Sequence, residues 1–316
     1  MIGSALSTML LDKGYDVTIV TRKIPHNRFN DAVSPMAGQE KGNSEKIEGK
    51  GSLKYALWNI DQQTIDEKAI QTADHIVHLA GANVGERRWT AKRKKEILES
   101  RTRTSALLVK ALKGIPNNVQ SVVTASAIGW YGEDMADKIP FHENAPAAKG
   151  FLGETCKAWE ESINPVEQIG KRLIKLRTGI VLSNQGGALQ EFKKPLRFGL
   201  ATILGNGQQI ISWIHITDLC RIYCYVLERE ELHGVYNAVS PQPESNKKLI
   251  LELGKKTRGK FFVPVYVPTA ALRLALGEMS IEVLKSTTVS NQKIRQAGFR
   301  YIYPTLQSAI DELTNH

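Results

Sequence analysis

Three short apolar runs, each stopping at small or polar residues, constrain this chain more than any other feature. They are Ile76-Val77-His78-Leu79-Ala80-Gly81, the stretch Ser121-Val122-Val123-Thr124-Ala125-Ser126 running on to Tyr131-Gly132, and Trp213-Ile214-His215-Ile216-Thr217-Asp218. Between and around them the apolar period lengthens to that of helices. Strand-length runs alternating with helical stretches predict βαβ units and a parallel sheet. Strands are predicted at 17–21, 74–79, 119–126 and 172–177. Helices are predicted at 2–13, 90–113, 153–162, 217–230 and 247–257, with Gly14 ending the first of them. In a sheet of this kind ligands bind at the carboxyl ends of the strands, where strand order reverses.

The pattern changes after Arg177. Gly186-Gly187 and Gly205-Asn206-Gly207 punctuate a looped segment, and Pro264, Pro268 and Pro304 break up the tail. The division predicted is a larger unit of residues 1–178 with 213–238, and a smaller lobe of 179–212 with 239–316. The tail is predicted to hold one helix to about residue 276 and another after Pro304. Residues 25–54 are polar and long for a connection.

The amino terminus reads as the end of a phosphate-binding turn. Dinucleotide sites begin with a strand, a glycine-rich turn and a helix whose amino terminus faces the pyrophosphate. Here Met1-Ile2-Gly3-Ser4 leads straight into a helix, and Gly3 stands where such a turn has its last glycine. The fold class predicted is α/β, a Rossmann doubly wound parallel sheet lacking its first strand and part of the glycine-rich turn, with a smaller carboxyl-terminal lobe. A central strand buries three or four large apolar side chains at roughly 1.5–3 kcal/mol each, against a total stability of about 5–15 kcal/mol. The expectation is therefore an in-frame extension upstream of Met1 that encodes a strand and a Gly-x-x-Gly turn.

Arg22 follows the second strand directly, after Thr21. An acidic residue near that point binds the ribose 2′-hydroxyl, whereas an arginine accommodates a 2′-phosphate, so Thr21-Arg22 predicts NADP. Leu79-Ala80-Gly81 ends a strand without bulk, which permits close approach of adenine and ribose. Glu96 and Arg101 lie on the following helix, and Arg101 is read either as reaching a phosphate or the nicotinamide ribose or as one half of an ordinary surface ion pair. His78 is read as a packed histidine.

Composition narrows the class. The chain has 316 residues, 42% of them apolar, and a net charge of +10. No run approaches the eighteen or so apolar residues of a membrane span, and residues 2–11 lack the basic lead of a signal peptide. Cys156, Cys220 and Cys224 have no zinc or redox spacing, and Cys220 and Cys224 are read as core residues. A cytoplasmic setting is expected. The basic runs at 92–95 and 255–260 come without any helix-turn-helix, RNP or zinc pattern. They are read as solvated helix faces, and neither nucleic acid nor membrane is expected as a partner.

The motifs combine into a resemblance. His78-Leu79-Ala80-Gly81-Ala82-Asn83, Arg87-Arg88-Trp89, Ser100-Arg101, Ser126-Ala127-Ile128-Gly129-x-Tyr131-Gly132, Lys157-Ala158-Trp159-Glu160, Arg177-x-Gly179-x-Val181-Leu182, Gly186-Gly187-Ala188 and Trp213-Ile214-His215-x-x-Asp218 are jointly specific. The set resembles the atypical extended short-chain dehydrogenase/reductases known as NAD(P)-dependent epimerase-like or nucleoside-diphosphate-sugar epimerase-like proteins. That subgroup carries a small carboxyl-terminal domain of unknown function, matched here by about residues 262–313. The resemblance covers the chain except the absent first strand and residues 25–54. It implies NADP(H) held by Gly3, Thr21, Arg22, Leu79, Ala80, Gly81, Glu96, Arg101 and Gly179.

Ordinary members use a Tyr-x-x-x-Lys pair, in which the lysine lowers the tyrosine pKa so that a proton moves as hydride moves. None of the nine tyrosines here has a lysine four residues later. Aligning Glu160 with the usual glutamate of that helix puts Leu152 at the tyrosine position, Cys156 at the lysine position and Ala127 at the usual Ser/Thr. The remaining candidates for proton transfer are Ser126 and Tyr131 at a strand end, then His215, which is read as anchoring a corner with Asp218, and Lys157. The reading is an NADP-binding, epimerase-like oxidoreductase acting on an unidentified small molecule, a sugar nucleotide or a carbonyl compound. Its rival is a catalytically degenerate NADPH-binding sensor or scaffold.

Overall fold

The computed structural model describes residues 1–24, 51–137 and 139–315. The chain opens with α1 (Ile2–Asp12), β1 (Val17–Thr21), β2 (Leu53–Asn59), β3 (Thr64–Ile65), α2 (Glu67–Gln71), β4 (His75–His78), α3 (Ala91–Gly114) and β5 (Ser121–Ala127). It continues with α4 (Phe151–Ile163), α5 (Pro165–Gln168), β6 (Arg172–Thr178), β7 (Ile180–Leu182), α6 (Ala188–Leu196), β8 (Leu200–Leu204), β9 (Ile210–Ile211) and β10 (Trp213–His215). The remainder is α7 (Ile216–Leu227), β11 (Gly234–Ala238), β12 (Glu244–Ser245), α8 (Asn246–Arg258), β13 (Val263–Val267), α9 (Thr269–Leu276), α10 (Ser280–Leu284), α11 (Gln292–Gln296) and α12 (Leu306–Thr314).

The central sheet has the order β11-β6-β5-β4, and every pairing in it is parallel. Ser121 to Thr124 of β5 are all buried, as a strand covered by helices on both faces requires. On one face Leu6 of α1 and Leu219, Ile222, Tyr223 and Val226 of α7 pack on Val123, Ile174 and Leu176. On the other, Leu108 and Leu112 of α3 and Ile163 of α4 pack on Val122 and Leu173. Helices on both faces of a parallel sheet make the α/β layering predicted from the alternation. A second ladder joins β1 to β2 in parallel, and among the described residues it shares no hydrogen-bonded pairing with β4.

Local chemistry sets the element ends. Thr90 caps α3 by accepting from the Arg93 amide at 3.2 Å, a contact typically worth about 1 kcal/mol. Gly14, at φ +86°, closes α1 in the left-handed conformation that a side chain would resist. Of the polar stretch at 25–54, residues 25–50 lie outside the described residues, while Leu53 and Lys54 begin β2, a strand not expected from the pattern. The pairing of β8 with β13 was likewise not expected.

The smaller carboxyl-terminal region packs around a second core that also takes in Trp213. Leu182, Leu189, Ile203, Trp213, Leu249, Leu253, Leu306 and Ile310 form one buried cluster. Strand β7 pairs with β10, so residues 180–182 are tied to the segment that leads into α7. Among the described residues no helix is long and apolar enough to cross a membrane.

Candidate functional site

The segments that follow β4 and β5 adjoin the start of α1, at Leu79 and Gly3, and the first turns of α4, at Gly129 and Leu152. Gly3 and Ser4 are exposed at the amino terminus of α1, which has no side-chain cap. A methyl group on Gly3 would meet only Leu79 Cδ1, at an ordinary 3.7 Å. The start of α6 comes to the same place. Gly186 and Gly187 have φ values of +141° and +77°, and a methyl on Gly187 would sit 3.4 Å from Met1 Sδ. Uncapped helix amino termini present free backbone N–H groups and the positive end of the helix dipole, the combination that binds phosphate.

Gly81 is exposed, and a methyl group there would stand 3.1 Å from Arg101 Cζ. Arg101 is buried on α3. Its Nη1 donates to the carbonyls of Ala82 at 3.1 Å and Ile97 at 2.8 Å, and its Cζ lies 4.9 Å from the Trp159 ring centroid. Ser100 accepts from the Ala82 amide at 2.9 Å and so fixes the same loop. Arg22 is exposed and makes no ion pair among the described residues.

Leu152 and Cys156, one turn apart on α4, point at the end of β5. A methyl on Gly129 would meet Leu152 Cβ at 3.2 Å and Cys156 Sγ at 3.6 Å. The positions aligned with the usual tyrosine and lysine therefore do face the strand end, but they carry an alkyl chain and a thiol. Burial pushes the Cys156 thiol up to about 12, so it stays protonated. Lys157 is exposed and 3.8 Å from Glu161.

Ser126 and Tyr131, expected as hydroxyls at a strand end, are buried within a polar network. The Ser126 hydroxyl donates to Glu160 Oε1 at 2.7 Å. Arg177 meets both Glu160 oxygens, at 2.8 Å through Nε and 3.0 Å through Nη2. Its Nη1 also donates to the Tyr131 oxygen at 3.0 Å and the Glu143 carbonyl at 3.0 Å. The Tyr131 hydroxyl donates to Asn237 Oδ1 at 2.7 Å, and the Asn237 amide donates to Glu143 Oε1 at 2.9 Å. Tyr131 is 0% exposed and stacks on Phe141 with ring centroids 5.2 Å apart. Burial holds its hydroxyl above the ordinary value, so it is neutral near pH 7. Sequence reasoning did not foresee this network. The one available signal was an arginine, Arg177, inside an apolar strand, because such a charge requires a buried partner.

Other expected residues have occupations of their own. Glu96 pairs with Arg93 at 2.8 Å, and that contact holds its carboxyl below the usual range. The Thr21 hydroxyl donates to the Lys23 carbonyl at 3.0 Å. Gly179 is glycine for packing: a methyl there would be 2.5 Å from the Ser212 carbonyl oxygen and 2.8 Å from Val239. His78 is packed between Thr124, at 3.3 Å, and Thr104, at 3.1 Å. His215 caps α7, accepting from the Thr217 amide at 3.1 Å, and its other ring nitrogen meets Glu312 at 2.8 Å. Asp218 accepts from the amides of Ile302 and Tyr303 at 2.9 and 2.8 Å. The Trp-Ile-His-x-x-Asp motif thus fastens the carboxyl-terminal segment to α7.

Comparison with known proteins agrees with this architecture. Residues 1–164 match the NAD dependent epimerase/dehydratase family, and residues 267–313 match a domain of unknown function, DUF1731. An epimerase family protein of Mycobacterium leprae is 30% identical over 315 residues, covering 99% of this chain and 92% of that one. One from Staphylococcus aureus (strain MRSA252) is 31% identical over 314 residues, covering 99% and 95%. Among solved structures, human epimerase family protein SDR39U1 (isoform 2), determined with NADPH, superposes with a TM-score of 0.82 at 27% identity, covering 100% of this chain and 96% of that one. A UDP-N-acetylglucosamine 4-epimerase from Bacillus cereus shares the fold, with a TM-score of 0.73 at 16% identity over 99% of this chain and 94% of that one. With more than half its length matched by one family model and full-length relatives at this identity, the chain belongs to the NAD dependent epimerase/dehydratase family.

Proposed function

We propose that this protein binds NADP(H) and acts as an epimerase-like oxidoreductase on a small molecule. The observation that carries the reading is the likeness, over its full length, to a human relative solved with NADPH. The residues present fit such a cofactor. The uncapped start of α1 at Gly3 and Ser4 offers amides to phosphates, and the half-buried Ala80 and exposed Gly81 leave room for the ribose and adenine. Arg22 stands exposed just past the end of β1, where its guanidinium makes no ion pair among the described residues and suits a 2′-phosphate. When bound, the nicotinamide supplies the hydride acceptor or donor. The chain's own residues bind and orient: Glu160, Arg177 and Tyr131 brace the ends of β5, β6 and β11, and Leu152 with Gly129 keeps the adjoining surface apolar and dry. In this reading Ser126 and Tyr131 act as positioning residues, since their hydroxyls are already committed inside the protein.

One feature favours a second reading, an NADPH-bound sensor or scaffold. The three positions that ordinarily carry the proton-transfer groups hold Ala127, Leu152 and Cys156, none of which exchanges a proton near pH 7. Two measurements test the pair. Titration of the full chain with NADPH and NADH should give a roughly ten- to hundredfold preference for NADPH, the size of a charge-assisted contact. Arg22→Ala should erase most of it; equal dissociation constants in the unmutated protein would remove the NADP assignment. Absorbance at 340 nm should then be followed for the loaded protein against sugar nucleotides and small carbonyl compounds. Turnover with any of them supports the oxidoreductase, while tight NADPH binding with no turnover across the panel supports the sensor.

A further inference from the structure

Arg101 is a buried cation without an anion. It is 9% exposed, and its hydrogen bonds are to two backbone carbonyls, both made by Nη1. Among the described residues no carboxylate pairs with it, and Nε and Nη2 have no hydrogen-bond partner. The other charged side chain acting on it from α3 is Arg93, a second cation, which adds to the unfavourable balance. A guanidinium taken out of water costs several kcal/mol unless something of opposite character repays it. The face of Trp159 at 4.9 Å returns a small part. The indole N–H of Trp159, also buried, has no acceptor among the described residues.

Its surroundings say what it waits for. The guanidinium stands directly behind exposed Gly81, just past the end of β4, and it adjoins α4 through Trp159, one turn on from Cys156, with its Cζ 4.9 Å from that ring. Cys156 in turn faces Gly129 at the end of β5. Arg101 therefore reaches, from a different helix, the region that the fourth residue after Leu152 faces. That residue would be a lysine in ordinary members and is a thiol here.

The geometry points to Arg101 as the group that replaces the absent lysine ammonium, donating through Nε and Nη2 to oxygens of the nicotinamide mononucleotide half of the cofactor. This rests on the NADP(H) reading above and assigns the residue that grips the reactive end. It makes Arg101 a binding and positioning group with no proton to trade. Gly81 is small because a side chain there would push the guanidinium aside.

The test compares the full chain with Arg101→Met, which keeps most of the volume and removes the charge, and with Arg101→Lys. Dissociation constants are measured for NADPH and NADH, and adenosine 2′,5′-bisphosphate, which lacks the nicotinamide half, is measured by displacement of NADPH. The methionine variant should lose roughly ten- to hundredfold affinity for NADPH and NADH alike, keep its bisphosphate affinity within about twofold, and melt without ligand within about 3 °C of the parent. Arg101→Lys should recover part of the loss. Unchanged NADPH affinity in Arg101→Met overturns the assignment. An equal loss for the bisphosphate overturns it by placing Arg101 with the adenosine half. A collapse of ligand-free melting overturns it by making Arg101 a structural strut. Failure of the parent protein to bind NADPH at all would instead defeat the underlying reading of function.

Discussion

Arg101 and Arg177 are both buried arginines near the carboxyl ends of β4 and β6, the parallel strands that flank β5, and they are solved in opposite ways. Arg177 has a bidentate carboxylate in Glu160, a phenol and a carbonyl, with the Trp130 ring 3.7 Å from its Cζ. Burial works against its charge, but Glu160 outweighs that and holds the guanidinium above its ordinary value. Arg101 has two carbonyls and a ring, and burial leaves it below its ordinary value. A charge closed within the protein braces a fold. A charge left open beside an exposed glycine is available to a ligand. On the proposed assignment, the difference puts binding on the β4 side and rigidity on the β6 side of one sheet.

The largest effect should come from breaking the closed pair. Removing one partner of a buried ion pair strands the other and costs about 3–5 kcal/mol. Arg177→Met should therefore lower the urea midpoint by that equivalent, whereas Arg101→Met without ligand should change stability by less than about 1 kcal/mol, because loss of its two carbonyl bonds is offset by relief of an unpaired buried charge. The contrast fails if the two substitutions cost the same. Replacing Glu160 and Arg177 together with apolar residues should recover most of the loss, since no charge is then left unpaired.

Acid should act on the β4 side next. Burial carries His78 from 6.5 down to about 4, so the folded protein holds it neutral between Thr124 and Thr104. The unfolded chain binds that proton below about pH 6.5 and the folded one does not until about pH 4. Stability is thus full above the unfolded pKa and falls as the pH drops from 6.5 to 4, by about 3 kcal/mol. His78→Gln should lessen the slope of stability against pH across that window. An unchanged slope in the variant would show that another group carries it.

The alternation of apolar runs made the sheet and its layering legible, and Gly14 marked the end of α1 to within a residue or two. Strand β13 was not legible, because four of its five residues are exposed and it pairs with β8 across more than fifty intervening residues. At the site, Leu152 and Cys156 could be aligned because both lie on one helical face, a local relation. The partners of Ser126 and Tyr131 could not be read, because Glu160, Arg177 and Asn237 come from α4, β6 and β11. Gly179 shows the same limit: its glycine is required by the Ser212 carbonyl, contributed from another segment, and no local pattern announces that contact.

The smallest expected effects lie inside the closed network, and they sharpen what its closure means. Tyr131→Phe removes one oxygen that bridges Arg177 and Asn237, leaving a buried acceptor and one guanidinium N–H without that partner, at a cost of about 1–3 kcal/mol. Ser126→Ala removes a single donor to Glu160, whose carboxylate keeps both bonds from Arg177, so about 0.5–1.5 kcal/mol is expected. Because both hydroxyls bear on the one Arg177–Glu160 pair, the double variant should deviate from the sum of the two by at least about 0.5 kcal/mol. Denaturant unfolding of the four proteins measures this coupling. Single-turnover hydride transfer, with whatever substrate the 340 nm panel yields, supplies the second axis: positioning residues should leave its pH profile unshifted even where the rate falls. A Tyr131→Phe protein of parental stability whose rate drops about 10²–10⁴-fold would instead make Tyr131 the proton carrier, and the β6 side would then hold the chemistry as well as the brace.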